Sequence, residues 1–404
     1  MKKLSLTSFL LSTSMLLTTS LHAAVSEPVT LVENIKKVFP GSHISSAYAI
    51  RSTDNALLKI EQNNIVNTGI VSNDLIKVLS SSFSSFAAFT SSGEVLTHTD
   101  SLNGPTIISD IIDLQAMQGG FVALRSNGTI VTWSEQVPPY QCQSHLNNVK
   151  KVTSSPQAYG VVALHGDGTI SAWSYDICSG FSIKDVNAID VAVGIYGFTV
   201  LDSEGVAYTY PYDTQHLMSQ VSSVDRLVSG NNYGLSISSE YIDCGGASAN
   251  INGKGSLKVV TAFGTGMMML QMSDGSVSQA HCYGNAINEQ SQATIKTLTN
   301  IKSIISNYSG FAAIDTAGDL FTWGGYSNEY DDNLLDISRH NIASVTPMLN
   351  SFAALKYDGT VIAWGDQMNI ENGSQRQLRN ITGIYPSAGQ FLALSKGGTL
   401  YAFD

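Results

Sequence analysis

Apolar positions recur along the chain in a pattern that is typical of short β-strands joined by tight turns. In each unit, two apolar residues three positions apart precede an apolar run, a turn and a second run that alternates apolar and polar residues. The turn carries Asp-Gly, Asn-Gly or Gly-Gly in the clearest copies, which suits the positive φ angles of a β-hairpin. The pattern therefore predicts three strands in each unit, followed by a polar connection.

Ten copies of this unit follow one another along the chain. The clearest copies lie at residues 121–133, 161–173, 311–323, 352–364 and 391–403, with weaker copies from residues 86, 198 and 267. Two copies, at residues 47–59 and 234–244, lack the turn glycine. The predicted first strands place their apolar pairs at Ile35/Val38, Ile76/Leu79, Ile111/Leu114, Val149/Val152, Ala188/Val191, Val224/Leu227, Leu257/Val260, Ile301/Ile304, Ile342/Val345 and Ile381/Ile384.

Eight turn glycines mark the period of the repeat. They are 35 to 43 residues apart, with one double step of 70 residues, and are Gly93, Gly128, Gly168, Gly205, Gly275, Gly318, Gly359 and Gly398. The four tryptophans of the chain each follow a turn glycine by five residues: Trp133, Trp173, Trp323 and Trp364. His98 occupies the same slot in its unit. Core packing is the expected role of this position, rather than a ligand cage or catalysis.

The repeat predicts an all-β fold. A three-stranded sheet cannot bury both of its faces alone, whereas radial stacking of such sheets gives a β-propeller with few exposed edges. We predict one repeat domain over residues 24–404, built as about ten short, mostly three-stranded blades. Because no linker rich in proline or charge divides the units, one ring of about ten blades is favoured over a seven-blade ring with three extra units. Residues 28–32 alternate and are expected to add a strand to the last blade.

The repeat also resembles a known family. Residues 352–365 read FAALKYDGTVIAWG, which resembles the repeat of the regulator of chromosome condensation family, whose rings usually have seven blades. The repeat length is similar to that of the bacterial secreted propeller that inhibits β-lactamases. The Gly-Gln-Leu-Gly-type segment of the eukaryotic members is absent after all four tryptophans, which speaks against nucleotide exchange on a small GTPase. The resemblance implies a propeller but no specific contact residues, because such contacts lie on variable loops.

The first 23 residues have the features of a secretory signal peptide. Lys2 and Lys3 precede a mostly apolar stretch that ends at Ala23, so cleavage is expected between Ala23 and Ala24. The alternative is an N-terminal membrane anchor, for which the stretch is short. Later segments lack the roughly 20 apolar residues of a transmembrane helix, so no membrane insertion is expected after cleavage. We therefore expect a periplasmic or extracellular protein.

Charge excludes some classes of partner. The formal net charge is −11, and removal of Lys2 and Lys3 changes it to −13. Nucleic acids and anionic membranes both favour surfaces rich in Lys and Arg, so neither is an expected partner. A basic protein partner fits this charge, although acidity can also serve solubility alone.

The four cysteines, an even number in an oxidising compartment, suggest two disulfides. Cys142 and Cys178 occupy similar places in neighbouring units, as do Cys244 and Cys282. Pairing of Cys142 with Cys178 and of Cys244 with Cys282 is therefore favoured over the two other connectivities. Four free buried thiols are the alternative. A zinc site would require C-x-x-C-like spacing, which is absent.

Catalytic motifs are also absent. The chain lacks H-E-x-x-H, G-x-S-x-G and the phosphate-binding G-x-x-x-x-G-K. The histidines are scattered over different units, and the acidic run at residues 329–333 lacks the glycine and alternation of a calcium loop. The sequence thus predicts no cofactor and no metal, and an enzyme with an axial active site ranks third among the functional hypotheses.

Binding is the leading functional hypothesis. The loops between first and second strands should emerge on one face, and four of them carry a tyrosine: Tyr159, Tyr196, Tyr233 and Tyr308. Tyrosine is enriched at binding hot spots. These residues predict a scaffold that binds another protein, as an enzyme inhibitor or an interaction factor. The first alternative is a secreted glycan-binding propeller. A purely structural alternative is that the tyrosines shield the ends of the blades and bind no partner.

Overall fold

The structure is a computed structural model. It describes residues 28–41, 46–81, 85–98, 106–117, 119–134, 140–141, 146–154, 160–173, 180–212, 215–230, 233–238, 241–243, 248–250, 256–262, 267–272, 276–281, 293, 295–308, 310–324, 339–365 and 378–403. The predicted signal peptide, the four cysteines, Gly275 and the acidic run at residues 329–333 lie outside the described residues.

Strands β1 to β37 form ten antiparallel sheets, numbered here as blades. Blade 1 contains β2 (Ile35–Phe39), β3 (Ala47–Arg51), β4 (Ala56–Glu61) and β5 (Asn64–Val71). Blade 2 contains β6 (Leu75–Ser80), β7 (Phe86–Thr90), β8 (Val95–His98) and β9 (Thr106–Ile108). Blade 3 contains β10 (Ile111–Met117), β11 (Gly120–Arg125), β12 (Ile130–Ser134) and β13 (Tyr140–Gln141). Blade 4 contains β14 (Val149–Thr153), β15 (Val161–His165), β16 (Ile170–Trp173) and β17 (Gly180–Ile183).

The second half of the chain continues the series. Blade 5 contains β18 (Ala188–Val193), β19 (Gly197–Asp202), β20 (Ala207–Pro211) and β21 (Ser219–Val221). Blade 6 contains β22 (Arg226–Val228), β23 (Leu235–Ile237), β24 (Tyr241–Asp243) and β25 (Ser248–Asn250). Blade 7 contains β26 (Ser256–Ala262), β27 (Met267–Met272) and β28 (Val277–His281). Blade 8 contains β29 (Ile301–Ser306), β30 (Gly310–Asp315) and β31 (Leu320–Gly324). Blade 9 contains β32 (Ile342–Met348), β33 (Ser351–Lys356) and β34 (Val361–Gly365). Blade 10 contains β35 (Ile381–Ser387), β36 (Gln390–Ser395), β37 (Leu400–Phe403) and the N-terminal β1 (Val29–Val32).

This arrangement confirms the predicted β-propeller and its ten repeats. Apart from β1 in blade 10, the strands of each blade pair in chain order, and each blade contacts the next around the series. The prediction of mostly three-stranded blades was wrong, because seven sheets have four strands in the described residues. The additional strand comes from the polar connection, or from β1 in blade 10. It pairs with the third strand and satisfies the backbone groups along that edge.

The N-terminal strand closes the ring as predicted. Strand β1 pairs antiparallel with β37, with Val29 opposite Ala402 and Thr30 opposite Tyr401. Blade 10 therefore contains strands from both ends of the described chain. Strand β35 of blade 10 contacts β3 of blade 1, and β1 contacts β5. The ten blades thus form one closed ring rather than a seven-blade ring with extra units.

Two backbone features recur where one blade meets the next. The seven described turn glycines have φ between 78° and 86°. At seven junctions, the glycine carbonyl accepts a hydrogen bond of 2.8–3.0 Å from a backbone amide at or just before the first strand of the following blade; the donors are Ile35, Ile111, Val149, Ala188, Val224, Ile342 and Ile381. The residue directly before each of these donors has a positive φ, and so does the residue before Ile301; the values lie between 48° and 65°. This residue is asparagine in six blades, Asp110 in blade 3 and Ser223 in blade 6. Asparagine tolerates this left-handed conformation better than most residues.

The hydrophobic core lies between the blades. One cluster joins Ala87 of blade 2 to Ile111 and Trp133 of blade 3, and another joins Leu392 of blade 10 to Leu58 of blade 1. The four tryptophans are at most 3% exposed. Three of them stack on the phenylalanine that begins the hairpin, with ring centroids 5.4–5.7 Å apart. Such aromatic pairs add directional stabilisation to the burial of apolar area.

Nine blades carry a β-bulge at the same place in the first strand. In blade 2, Leu75 pairs with Thr90 and Lys77 with Phe89, which leaves Ile76 without a partner across the strand. The bulge corrects one sequence assignment, because Leu75 and Val78 are the buried residues of this strand and Ile76 is exposed. A shift of one residue exchanges the two faces of a strand, which explains the error. In blade 7, the equivalent positions are Ser256 and Val259 rather than Leu257 and Val260.

Candidate binding surfaces

The ring has two ends, which differ in the connections that they present. We call the end with the loops between first and second strands the loop end, and the end with the glycine turns the turn end. Neighbouring loops are joined at the loop end by backbone hydrogen bonds. Gly41 donates to Pro386 at 2.9 Å, and Tyr308 donates to Leu349 at 2.8 Å. These bonds hold the loops of adjacent blades in fixed relative positions.

Three of the four predicted tyrosines lie on these loops in the described residues, and they do not form one cluster. Tyr196 in blade 5 is 50% exposed and Tyr308 in blade 8 is 48% exposed. Tyr233 in blade 6 is half-buried. Tyr196 and Tyr233 belong to adjacent blades, whereas Tyr308 is three blades away from Tyr196. Tyr159 lies outside the described residues.

Tyr233 packs against the neighbouring blade. A Cβ atom added to Gly197 would lie 2.6 Å from the Tyr233 ring and 2.2 Å from the Tyr210 carbonyl oxygen. Only glycine leaves room for this approach. Gly197 directly follows Tyr196, so the backbone next to the exposed Tyr196 is the surface against which the Tyr233 ring packs.

Tyr212 extends this aromatic region into the core, and sequence reasoning did not single it out. It is 3% exposed, and its hydroxyl donates to the Gly194 carbonyl at 3.1 Å. Burial raises the pKa of Tyr212 well above its usual value. Its ring lies within 2.3 Å of where a Cβ atom of Gly160 would be. Its position two residues after the tryptophan slot of its unit is the signal that could have revealed it.

Other candidate chemistry resolves into structural contacts. The His165 ring lies 2.7 Å from the Asn147 carbonyl and 2.9 Å from the Ser171 hydroxyl, so both ring nitrogens have partners in the core. The exposed His340 lies 2.6 Å from Asp319. Within the described ranges, no group of three His, Cys, Asp or Glu residues is placed to hold a metal ion. Those ranges also contain no helix with the length and apolar character needed to cross a membrane.

No protein-family model and no curated protein matches this chain. Similar solved structures include yeast RCC1 (Prp20) bound to Kap60, with 13% identity, 74% of this chain and 82% of that chain covered, and a TM-score of 0.35. BamB from Moraxella catarrhalis is 12% identical, with 85% and 97% covered and a TM-score of 0.37. The C-terminal WD40 domain of Sif2 is 10% identical, with 94% and 99% covered and a TM-score of 0.39.

These similarities are too low to carry a conclusion about function, and the fold rests on the strand pairing described above. They include a member of the regulator of chromosome condensation family, which the repeat motif resembles. The resemblance to the bacterial inhibitor of β-lactamases stays a prediction.

Proposed function

We propose that this protein is an exported propeller that binds another protein through its loop end. Inhibition of a periplasmic or foreign enzyme is the most specific form of this proposal. The observation that carries it is the exposure of Tyr196 and Tyr308 at the same end of the ring. A tyrosine side chain offers a large contact area with few rotatable bonds, so little conformational entropy is lost on binding.

The scaffold behind these side chains is rigid, which favours binding. Blade-to-blade hydrogen bonds fix the backbone of Tyr308, and the Tyr196 carbonyl accepts a hydrogen bond of 3.2 Å from the Tyr212 amide. Pre-ordered loops lose less freedom when a partner binds. Loops on a rigid scaffold can also vary in sequence without loss of the fold.

Charge indicates which class of partner suits this surface. The formal net charge, −11 for the full chain and −13 without Lys2 and Lys3, favours association with a neutral or basic protein and opposes association with nucleic acid. A glycan would use the same aromatic side chains, so the experiment below includes glycans as a competing outcome.

The test compares the mature protein with the double variant Tyr196→Ala/Tyr308→Ala and the control Tyr357→Ala. Tyr357 is 63% exposed but lies in a hairpin turn at the turn end, so its loss removes a similar side chain from the opposite surface. The three immobilised proteins are incubated with periplasmic and host extracts, and retained proteins are identified by mass spectrometry. Each protein is also applied to a glycan array.

We expect the mature protein and the control to retain the same protein, and the double variant to lose at least tenfold in affinity, about 1.4 kcal/mol. Selective glycan binding with no retained protein would contradict the proposal. Equal retention by all three proteins would show that the loop end is not the binding surface.

Export has its own test. N-terminal sequencing of the protein expressed in a bacterium should begin at Ala24, and the protein should be released with the periplasmic fraction or the medium. An intact Met1 in a cytoplasmic fraction would contradict export.

A further inference from the structure

The β-bulges of the first strands give the turn end a surface of its own. In blades 1 to 5, the bulged residues are Lys36, Ile76, Ile112, Lys150 and Ile189. All five are exposed. Bulges redirect a side chain out of the sheet and are frequent beside functional sites. We call these five residues the bulge arc.

The bulge arc lies on the inner rim of the ring. The first strand is an edge of each sheet, and it contacts the first strand of the next blade throughout blades 1 to 5. Neighbouring first strands approach within 8 Å between Cα atoms. Four of the five bulged residues directly follow the residue that meets the preceding glycine turn, as Ile112 follows Ile111, and Ile76 has the same place in blade 2. The arc therefore lies at the turn end, opposite the tyrosines.

Its isoleucines are unusually exposed. Ile76, Ile112 and Ile189 are 54%, 59% and 52% exposed. Each offers aliphatic area whose removal from water is favourable. Their recurrence at the same structural position of blades 2, 3 and 5 makes an apolar stripe, which Lys150 interrupts in blade 4.

Lysines place positive charge along the same stripe, although the protein as a whole is acidic. Lys36 and Lys150 belong to the arc. Lys37, Lys77 and Lys151 follow bulged residues and reach into the next blade, where they contact the Leu75 carbonyl at 3.0 Å, the Leu114 carbonyl at 2.8 Å and Asp190 at 2.7 Å. Against these five lysines, the same two positions of blades 1 to 5 carry two acids, Asp113 and Asp190. The arc itself thus carries two lysines and no acid, and the residues directly before the first strands of blades 2 and 3 are Asp74 and Asp110.

We propose that the bulge arc binds an acidic segment of a partner protein that also carries aliphatic side chains. Carboxylates would pair with Lys36 and Lys150, and aliphatic groups would cover Ile76, Ile112 and Ile189. An extended peptide suits this arc, because its alternate side chains face one side and can meet successive first strands. The surface is independent of the loop end, so both ends can be occupied at once.

The experiment uses a fluorescein-labelled twelve-residue peptide with four glutamates and three leucines separated by serines. Matched peptides replace every glutamate by glutamine or every leucine by serine. Binding to the mature protein is measured by fluorescence anisotropy, at about 0.05 M and about 0.5 M NaCl, where ionic screening differs strongly. Phosphatidylglycerol vesicles serve as a separate anionic probe.

The variants are Lys36→Glu/Lys150→Glu and Ile76→Ser/Ile112→Ser, with Lys396→Glu as the control. Lys396 is an exposed lysine in the glycine turn of blade 10, at the same end, and it does not belong to the bulge arc. Because all the substituted residues are exposed, the variants should melt like the mature protein. We expect each double variant and each altered peptide to weaken binding at least tenfold, and the control to stay within twofold. High salt should also weaken binding.

Three results would overturn the proposal. The first is a failure of the mature protein to bind the acidic peptide. The second is binding of this peptide by the double variants as tightly as by the Lys396→Glu control. The third is binding to the vesicles without binding to the peptide, which would assign the surface to a membrane.

Discussion

The backbone amide of Ile35 in blade 1 donates to the carbonyl oxygen of Gly398 in blade 10 at 2.8 Å. The same bond joins Ile111 to Gly93 and Ile342 to Gly318 at junctions inside the chain, each at 2.9 Å. The junction that closes the ring is therefore built like the junctions that continue it. Ile35 and Gly398 are more than 350 positions apart in sequence, yet they form the same hydrogen bond as blades that follow each other along the chain.

Removal of the N-terminal strand should weaken this closure. Deletion of residues 24–33 exposes the edge of β37 and removes Leu31 and Val32, which pack against the core shared by blades 10 and 1. We expect a loss of about 1–2 kcal/mol and a melting temperature lower by a few degrees, measured by differential scanning calorimetry.

A rearranged chain provides the control for this deletion. In this variant, residues 24–33 are removed from the N-terminus and attached after Asp404 through a short flexible linker. They can then form the same antiparallel fourth strand of blade 10, now joined to β37 by a hairpin. The rearranged protein should recover most of the lost stability. Identical melting of the deletion variant and the mature protein would show that β1 does not contribute to closure.

The glycine turns should tolerate substitution very differently at adjacent positions. Gly398 has a φ of 82°, and an added Cβ atom would lie 3.0 Å from the Ile35 carbonyl oxygen. Gly398→Ala should cost about 1–3 kcal/mol, because it adds backbone strain and crowds the closing junction. Gly397→Ala should cost less than about 0.5 kcal/mol, because the nearest atom is the Ser395 hydroxyl at 3.8 Å.

Substitution of Gly69 distinguishes the cost of backbone strain from the cost of steric crowding. Gly69 has a φ of 78°, but an added Cβ atom would meet nothing within 4 Å. Urea unfolding of Gly69→Ala therefore measures the conformational cost alone, and Gly398→Ala should exceed it. Equal costs at Gly397 and Gly398 would contradict the described turn.

The tryptophans should differ in how well they accept phenylalanine. Trp133 and Trp323 are both fully buried against a phenylalanine, but they differ in hydrogen bonding. The Trp133 indole donates to the Thr97 hydroxyl of the preceding blade at 3.1 Å. The Trp323 indole nitrogen has no partner among the described residues. Trp133→Phe should cost about 1 kcal/mol more than Trp323→Phe in urea unfolding, because it also removes a hydrogen bond. A larger cost at Trp323 would contradict this assignment.

The cysteines provide a prediction that lies outside the described residues. Peptide mapping without reductant should find Cys142 linked to Cys178 and Cys244 linked to Cys282. Loss of either bridge should cost about 2–4 kcal/mol, and less where the closed loop is short. Four free thiols would remove both bridges and some support for export.

The repeat could be predicted from sequence because the residues that define it have local causes. Turn glycines such as Gly128 and Gly359 adopt the positive φ angles that the hairpin pattern requires. The extra strands were missed because the edge pairing of segments such as β9 depends on the neighbouring strand more than on their own sequence. The asparagines before the first strands, such as Asn34 and Asn148, could have predicted a residue with positive φ at each junction. They were missed because the prediction followed the apolar positions alone.

The candidate surfaces were less predictable. Tyr196 and Tyr308 could be placed on loops, but packing of Tyr233 against Gly197 depends on two blades that approach each other in space. Ile76 was misassigned because a bulge inserts one residue into the strand and turns the side chain of Ile76 towards solvent. Sequence periodicity does not report such a bulge.

Hydrogen–deuterium exchange tests the closed ring most directly. In the mature protein, the Ile35 amide should exchange as slowly as the equivalent amides of Ile111 and Ile342, and peptides covering β1 and β37 should be protected together. Fast exchange of Ile35, β1 and β37, with protection intact at the internal junctions, would show that the ends are open and would contradict a single ring of ten blades.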